Sequence, residues 1–172
     1  MTQTYLTRKF HATLAIAALA TLSLAALAHG PVDPARKPHA AISTDEHAFG
    51  VEGNPKMASR TIPMSMDDSM HYSQPEIRVK QGQTVTFVIS NKGKLLHELV
   101  IGTEDELRKH AAVMLKNPTM EHDEPYMAHV KPGTTEKMTW RFTKAGTFLF
   151  GCLVAGHFEA GMKGRIVVAA AK

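Results

Sequence analysis

Along most of this chain hydrophobic residues recur at every second position in short runs, the period of strands with one buried face. From about Ala58, Ile62, Met64 and Met66 alternate in the first such run. Glu76-Ile77-Arg78-Val79 leads to the turn Gln81-Gly82, and Val85, Phe87 and Ile89 alternate beyond it. The turn Asn91-Lys92-Gly93 precedes a more continuous apolar run from Leu95 to Ile101. Thr134 to Thr143 alternates through Met138, Trp140 and Phe142, Ala145-Gly146 turns into Thr147 to Cys152, and Gly164 to Ala169 closes the series. One segment breaks the period. Thr103-Glu104-Asp105-Glu106 has the form of a capping box, and Leu107, Ala111 and Met114 then share a helical face. This predicts a helix over about 104–116 that stops at Asn117-Pro118. Thr119 to Gly133, with Pro125 and Pro132, reads as a polar loop. Seven or so short strands with one inserted helix predict an all-β sandwich.

The N-terminal part has a different texture. Arg8 and Lys9 precede an Ala/Leu run from Ala12 to Leu27, and Ala26-Leu27-Ala28 has the form of a cleavage site. Residues 1–28 therefore read as a cleaved export signal of the general secretory type, which predicts a periplasmic protein. An uncleaved anchor is the alternative, against which the run is short and Ala-rich. Residues 29–57 carry Pro31, Pro34, Pro38 and Pro55 with little periodicity, and read as a flexible tail. The sandwich domain is expected over 58–172.

Charge narrows the partners. The leader takes away two basic residues and no acidic one, so the formal charge falls from +4 to about +2. That is too mild and too scattered for nucleic acid. No second apolar run is long enough to span a membrane in the mature form.

The chemistry sits at the single cysteine. Gly151-Cys152-Leu153-Val154-Ala155-Gly156-His157-Phe158-Glu159-Ala160-Gly161-Met162 places a thiol, an imidazole and a thioether at Cys-x4-His-x4-Met. An exported protein seldom keeps an unpaired thiol without a use for it; an inert core cysteine and an intermolecular disulfide are the plain alternatives. Zinc takes Cys and His but binds a thioether poorly, so the set favours copper. A mononuclear centre of this kind needs a second imidazole, for which His97 in Leu96-His97-Glu98-Leu99 is the best candidate.

These residues resemble the cupredoxin family. Phe148-Leu149-Phe150-Gly151-Cys152 with Gly156-His157 and Gly161-Met162-Lys163-Gly164 is similar to the ligand loop of small blue copper proteins, and Tyr72-Ser73-Gln74-Pro75-Glu76 through Val79-Lys80-Gln81-Gly82 is similar to the opening of their fold. The resemblance covers about 58–172. Within the family, His97-Glu98-Leu99, the inserted helix and the Met/His/acid-rich loop after it most resemble periplasmic copper-tolerance cupredoxins of the CopI type. The resemblance implies a Greek-key β-sandwich and one type 1 copper, held by His97, Cys152 and His157 with Met162 as a weak axial ligand. Glu98 departs from the Asn usual after the first ligand His, and Ala155 from the usual Pro. A redox partner would dock near His157, on a patch supplied by Leu153, Val154 and Phe158.

Ten histidines and ten methionines, of which only His11 and Met1 fall in the leader, exceed what one centre needs. A second copper site could draw on His29, exposed as the new N-terminus, with His39 and His47; on Met70 and His71; or on Met120, His122, Met127 and His129. Against this, Met64 and Met66 alternate like core residues, and the loop reads equally well as solvated. The function expected is copper tolerance, by binding and by buffering or oxidising excess copper without enzymatic turnover; the alternative is a soluble electron carrier between respiratory or photosynthetic partners.

Overall fold

The computed structural model describes residues 41–120 and 122–171, so the leader and the tail residues His29 and His39 lie outside the described residues. Ten strands run in chain order: β1 (Val51–Glu52), β2 (Arg60–Asp67), β3 (His71–Tyr72), β4 (Glu76–Lys80), β5 (Thr84–Asn91), β6 (His97–Gly102), β7 (Met127–Val130), β8 (Thr135–Arg141), β9 (Gly146–Gly151) and β10 (Lys163–Ala169). Among the described residues the one α-helix, α1 (Glu104–Lys116), is inserted between β6 and β7. One sheet has the order β1-β8-β5-β2-β3 and the other β4-β10-β9-β6-β7. The pairs β2–β5 and β4–β10 are parallel, and the remaining pairs are antiparallel.

The alternating residues face each other across the sandwich. Ile62, Met64, Met66, Val85, Phe87 and Ile89 meet Ile77, Val79, Phe150, Ile166 and Val168 in one core. Met64 and Met66 are thus core residues, as their alternation predicts. The continuous apolar run has a different cause. Strand β6 is buried on both faces, with Leu99 and Ile101 in the sandwich core and Val100 in a second cluster under α1. That cluster joins Leu107, Ala111 and Met114 of the helix to Met127, Leu153 and Phe158. The helix starts at the expected capping box, where Thr103 Oγ1 accepts from Glu106 N–H and the Glu106 carboxylate accepts from Thr103 N–H.

Three expectations change. The polar loop contains β7, a short strand whose Met127 packs under α1 while Ala128 and Val130 join the sandwich core. Strand β6 begins at His97 rather than Leu95, leaving Leu95 and Leu96 exposed. Residues 47–53, expected as loose tail, instead pack onto the domain. Phe49 is buried against Trp140, with ring centroids 5.3 Å apart, and Trp140 Nε1 donates to the Phe49 carbonyl at 3.1 Å. Val51 and Glu52 then pair with Arg141 and Trp140. One large aromatic supplies the burial that proline-rich surroundings disguise.

Candidate metal centre

The site forms where β6 begins and β9 ends. Asn91, buried at the end of β5, shapes the approach to His97: its side-chain N–H groups donate to the carbonyls of Leu95 (2.7 Å) and Val130 (2.8 Å), and its Oδ1 accepts from Gly93 N–H (2.8 Å). On the other side the chain leaves β9 at Gly151 and folds back before β10. Cys152 N–H donates to the Met162 carbonyl (3.0 Å), Met162 N–H to the His157 carbonyl (3.0 Å), and His157 N–H to the Val154 carbonyl (2.9 Å). Gly156 and Gly161 take left-handed φ values of 87° and 98°, which a side chain would strain.

These two segments converge three donors. Cys152 Sγ lies 3.3 Å from His157 Nδ1 and 4.0 Å from His97 Nδ1, and the three donor atoms lie within 4.8 Å of one another. A trigonal ion bonded at about 2.0–2.3 Å to each donor requires separations of roughly 3.8 Å, so the set fits a metal. Thiolate plus two imidazoles is the softness expected of type 1 copper. Met162 is fully buried between the same backbone ties.

The environment of the thiol is apolar. Burial pushes the Cys152 thiol up to about 12, partly offset by the Glu98 backbone N–H, which donates to Sγ at 3.3 Å. The metal-free cysteine is therefore a thiol at neutral pH, and binding must release its proton. Burial, and next the nearby His97, hold His157 below the usual imidazole range, so it is ready to bind as the neutral base.

Two residues outside the expected ligand set complete the site. Asp68, in the turn after β2, places Oδ1 at 3.1 Å from His97 Nε2. Its carboxylate is fixed by Lys94 N–H (3.0 and 2.8 Å) and Leu95 N–H (3.2 Å). A carboxylate on the outer nitrogen of a ligating imidazole fixes its tautomer and orientation. Only the adjacent acids Asp67-Asp68 could have hinted at this, and such pairs are ordinarily solvated. Tyr72, buried on β3, donates its hydroxyl to the Glu98 carbonyl at 2.5 Å and so steadies the donor to the sulfur. Glu98 itself, noted as a departure, turns its buried carboxylate away from the metal donors toward His129 Nδ1 at 2.9 Å.

The other expected ligands scatter. His47 belongs to an aromatic group with Phe49, Tyr126 and Trp140, at centroid distances of 5.4, 4.8 and 5.7 Å. Met70 has a left-handed φ of 62° and packs partly against the core, while His71 is exposed with Nδ1 against the Ser69 carbonyl. Met120 is exposed and Met127 fully buried. Only His122 and His129 come together. The apolar patch expected near His157 also changes: Leu153 and Phe158 are buried under α1, Val154 is half-buried against the sandwich core, and the exposed apolar side chains leading into His97 are Leu95 and Leu96. Among the described residues no helix is long and apolar enough to cross a membrane.

Known proteins agree with this geometry. The family model "Copper binding proteins, plastocyanin/azurin family" matches residues 60–169. The protein named copper-resistant cuproprotein CopI from Rubrivivax gelatinosus is 43% identical over 120 residues, covering 70% of this chain and 73% of its own. The protein of that name from Vibrio cholerae is 31% identical over 160 residues, covering 87% and 94%. Among solved structures, reduced auracyanin from Roseiflexus castenholzii superposes with a TM-score of 0.56 at 28% identity, covering 65% of this chain and 98% of its own. Because the match spans both sheets and takes in all three converging donors, this chain belongs to the plastocyanin/azurin family and is a copper-binding cupredoxin.

Proposed function

We propose that this protein is a periplasmic copper-tolerance cupredoxin that binds excess copper and buffers it, without enzymatic turnover. The observation that carries the reading is that relatives 43% and 31% identical, the second aligned over 94% of its length, bear the name copper-resistant cuproprotein. Export rests on the leader-like pattern of residues 1–28.

Bound copper would supply one-electron chemistry between Cu(I) and Cu(II). Sulfur and thioether favour the first state and imidazole the second. The chain's part is to keep the donors in place in either state. Asp68 orients His97, the Glu98 N–H supports the Cys152 sulfur, and the backbone ties among Cys152, His157 and Met162 close the loop. Met162, buried on the same loop, would supply a weak thioether donor to the bound ion. His157, partly exposed, would be the edge open to copper or to an electron, with Leu95 and Leu96 as the apolar flank that a redox partner would touch.

Growth of a deletion strain on excess copper tests the reading. Complementation by the wild-type gene, but not by Cys152→Ser, is expected to restore growth. Normal growth of the deletion strain on excess copper, with slowed respiratory or photosynthetic growth at ordinary copper, would instead identify an electron carrier.

A further inference from the structure

Away from the copper donors, three imidazoles from three different elements meet beside the second core. His110 lies on α1, His122 in the segment leading to β7, and His129 on β7. The ring centroids of His110 and His122 are 4.5 Å apart, and those of His122 and His129 6.1 Å. Both ring nitrogens of His122 are shielded from solvent and have no hydrogen-bond partner. A neutral imidazole has one donor and one acceptor, so this ring leaves both unmet, which is costly unless something binds them. His129 is differently equipped. Its Nδ1 faces the Glu98 carboxylate at 2.9 Å and its Nε2 the His122 carbonyl at 2.7 Å. With both nitrogens donating to oxygen, His129 is no ligand; it ties the His122 backbone to Glu98 and so positions the His122 ring.

We propose that His110 and His122, with His129 behind them, form a second metal site for a borderline divalent cation of the Cu(II) or Zn(II) class. Imidazole nitrogen is the donor these ions share, and nearby carboxylates balance their charge. The charges agree. Burial, and next the neighbouring His122, lower the pKa of His110, so it stays neutral and free to bind, while Glu98 and Glu124 supply negative charge around it. The Glu98 bond raises the pKa of His129, and the same carboxylate balances the charge that His129 then carries. The thioethers of the same loop take no part, since Met127 is buried in the helix cluster and Met120 is exposed. The site adjoins the copper centre through one residue. Glu98 donates its backbone N–H to Cys152 Sγ and its carboxylate holds His129.

The test uses the mature protein already carrying one copper at Cys152, titrated with Zn(II), which has no visible spectrum of its own. The expected result is a further equivalent of zinc whose affinity falls about tenfold or more in His122→Gln and in His110→Gln, with the visible copper band unchanged. In the unmutated Cu(I) protein, zinc should also shift the ring NMR signals of His110 and His122, a readout that needs no variant. Zinc affinity equal to wild type in both variants, or unmoved ring signals on zinc addition, would overturn the proposal. The copper band, read in the same samples, reports the Cys152 centre separately, so failure of one site is distinct from failure of the other.

Discussion

Asp68 Oδ1 lies 3.1 Å from His97 Nε2, while Nδ1 of the same ring faces Cys152 Sγ at 4.0 Å. The first copper donor is therefore held by a carboxylate 29 residues away in sequence, and the metal-facing nitrogen is fixed as the one without the proton. Asp68→Ala is expected to weaken copper binding about 10–100-fold while the domain remains folded, because Asp68 is exposed. Competition titration against a copper chelator measures it, and unchanged affinity would remove Asp68 from the site.

Gly93 makes that arrangement sterically allowed. A Cβ on Gly93 would come within 2.0 Å of Asp68 Oδ1, so Gly93→Ala must displace the carboxylate or the loop. The variant should reproduce the affinity loss of Asp68→Ala, and the double variant should be little worse than either single one. Additive losses would show that Gly93 acts through some other contact.

Copper uptake should depend on pH in a definite direction. With the Cys152 thiol pushed up to about 12, binding releases one proton from sulfur throughout the neutral range. Above the imidazole range, apparent affinity should rise about tenfold per pH unit and level off only as pH nears the thiol's own pKa. A flat profile between about pH 7.5 and 9 would mean that sulfur is not a ligand.

The N-terminal segment should contribute to stability. Phe49 packs against Trp140 and Tyr126 with centroids 5.3 and 5.6 Å away, and its carbonyl accepts from the indole. Phe49→Ala is expected to cost about 3–5 kcal/mol, seen as a lower urea midpoint with an unchanged slope. A cost near zero would return this segment to the status of a tail.

What the sequence disclosed follows from how local each signal is. Cys152, His157 and Met162 lie within eleven positions of one loop, so their spacing was readable, and the capping box at Thr103 and Glu106 lies within four. His97 could be named because a fourth donor was chemically required. Asp68 and Tyr72 act through contacts 29 and 26 residues away, which leave no local pattern. Strand β7 was hidden because Met127 and Ala128 are both buried, one under α1 and one in the sandwich, so the alternation that marks a one-sided strand is absent. His122 and His129 stood out as metal-binding residue types, but His110 looked like an ordinary helix residue until α1 brought it against them.

The most direct measurement of the copper centre is the visible absorption of the purified mature protein with one equivalent of Cu(II), beside that of Cys152→Ser. The wild type should show an intense band from the sulfur–copper bond, and the variant, folded by circular dichroism, should lack it. An equally intense band in Cys152→Ser would contradict the assignment of Cys152, His97 and His157 as the copper donors.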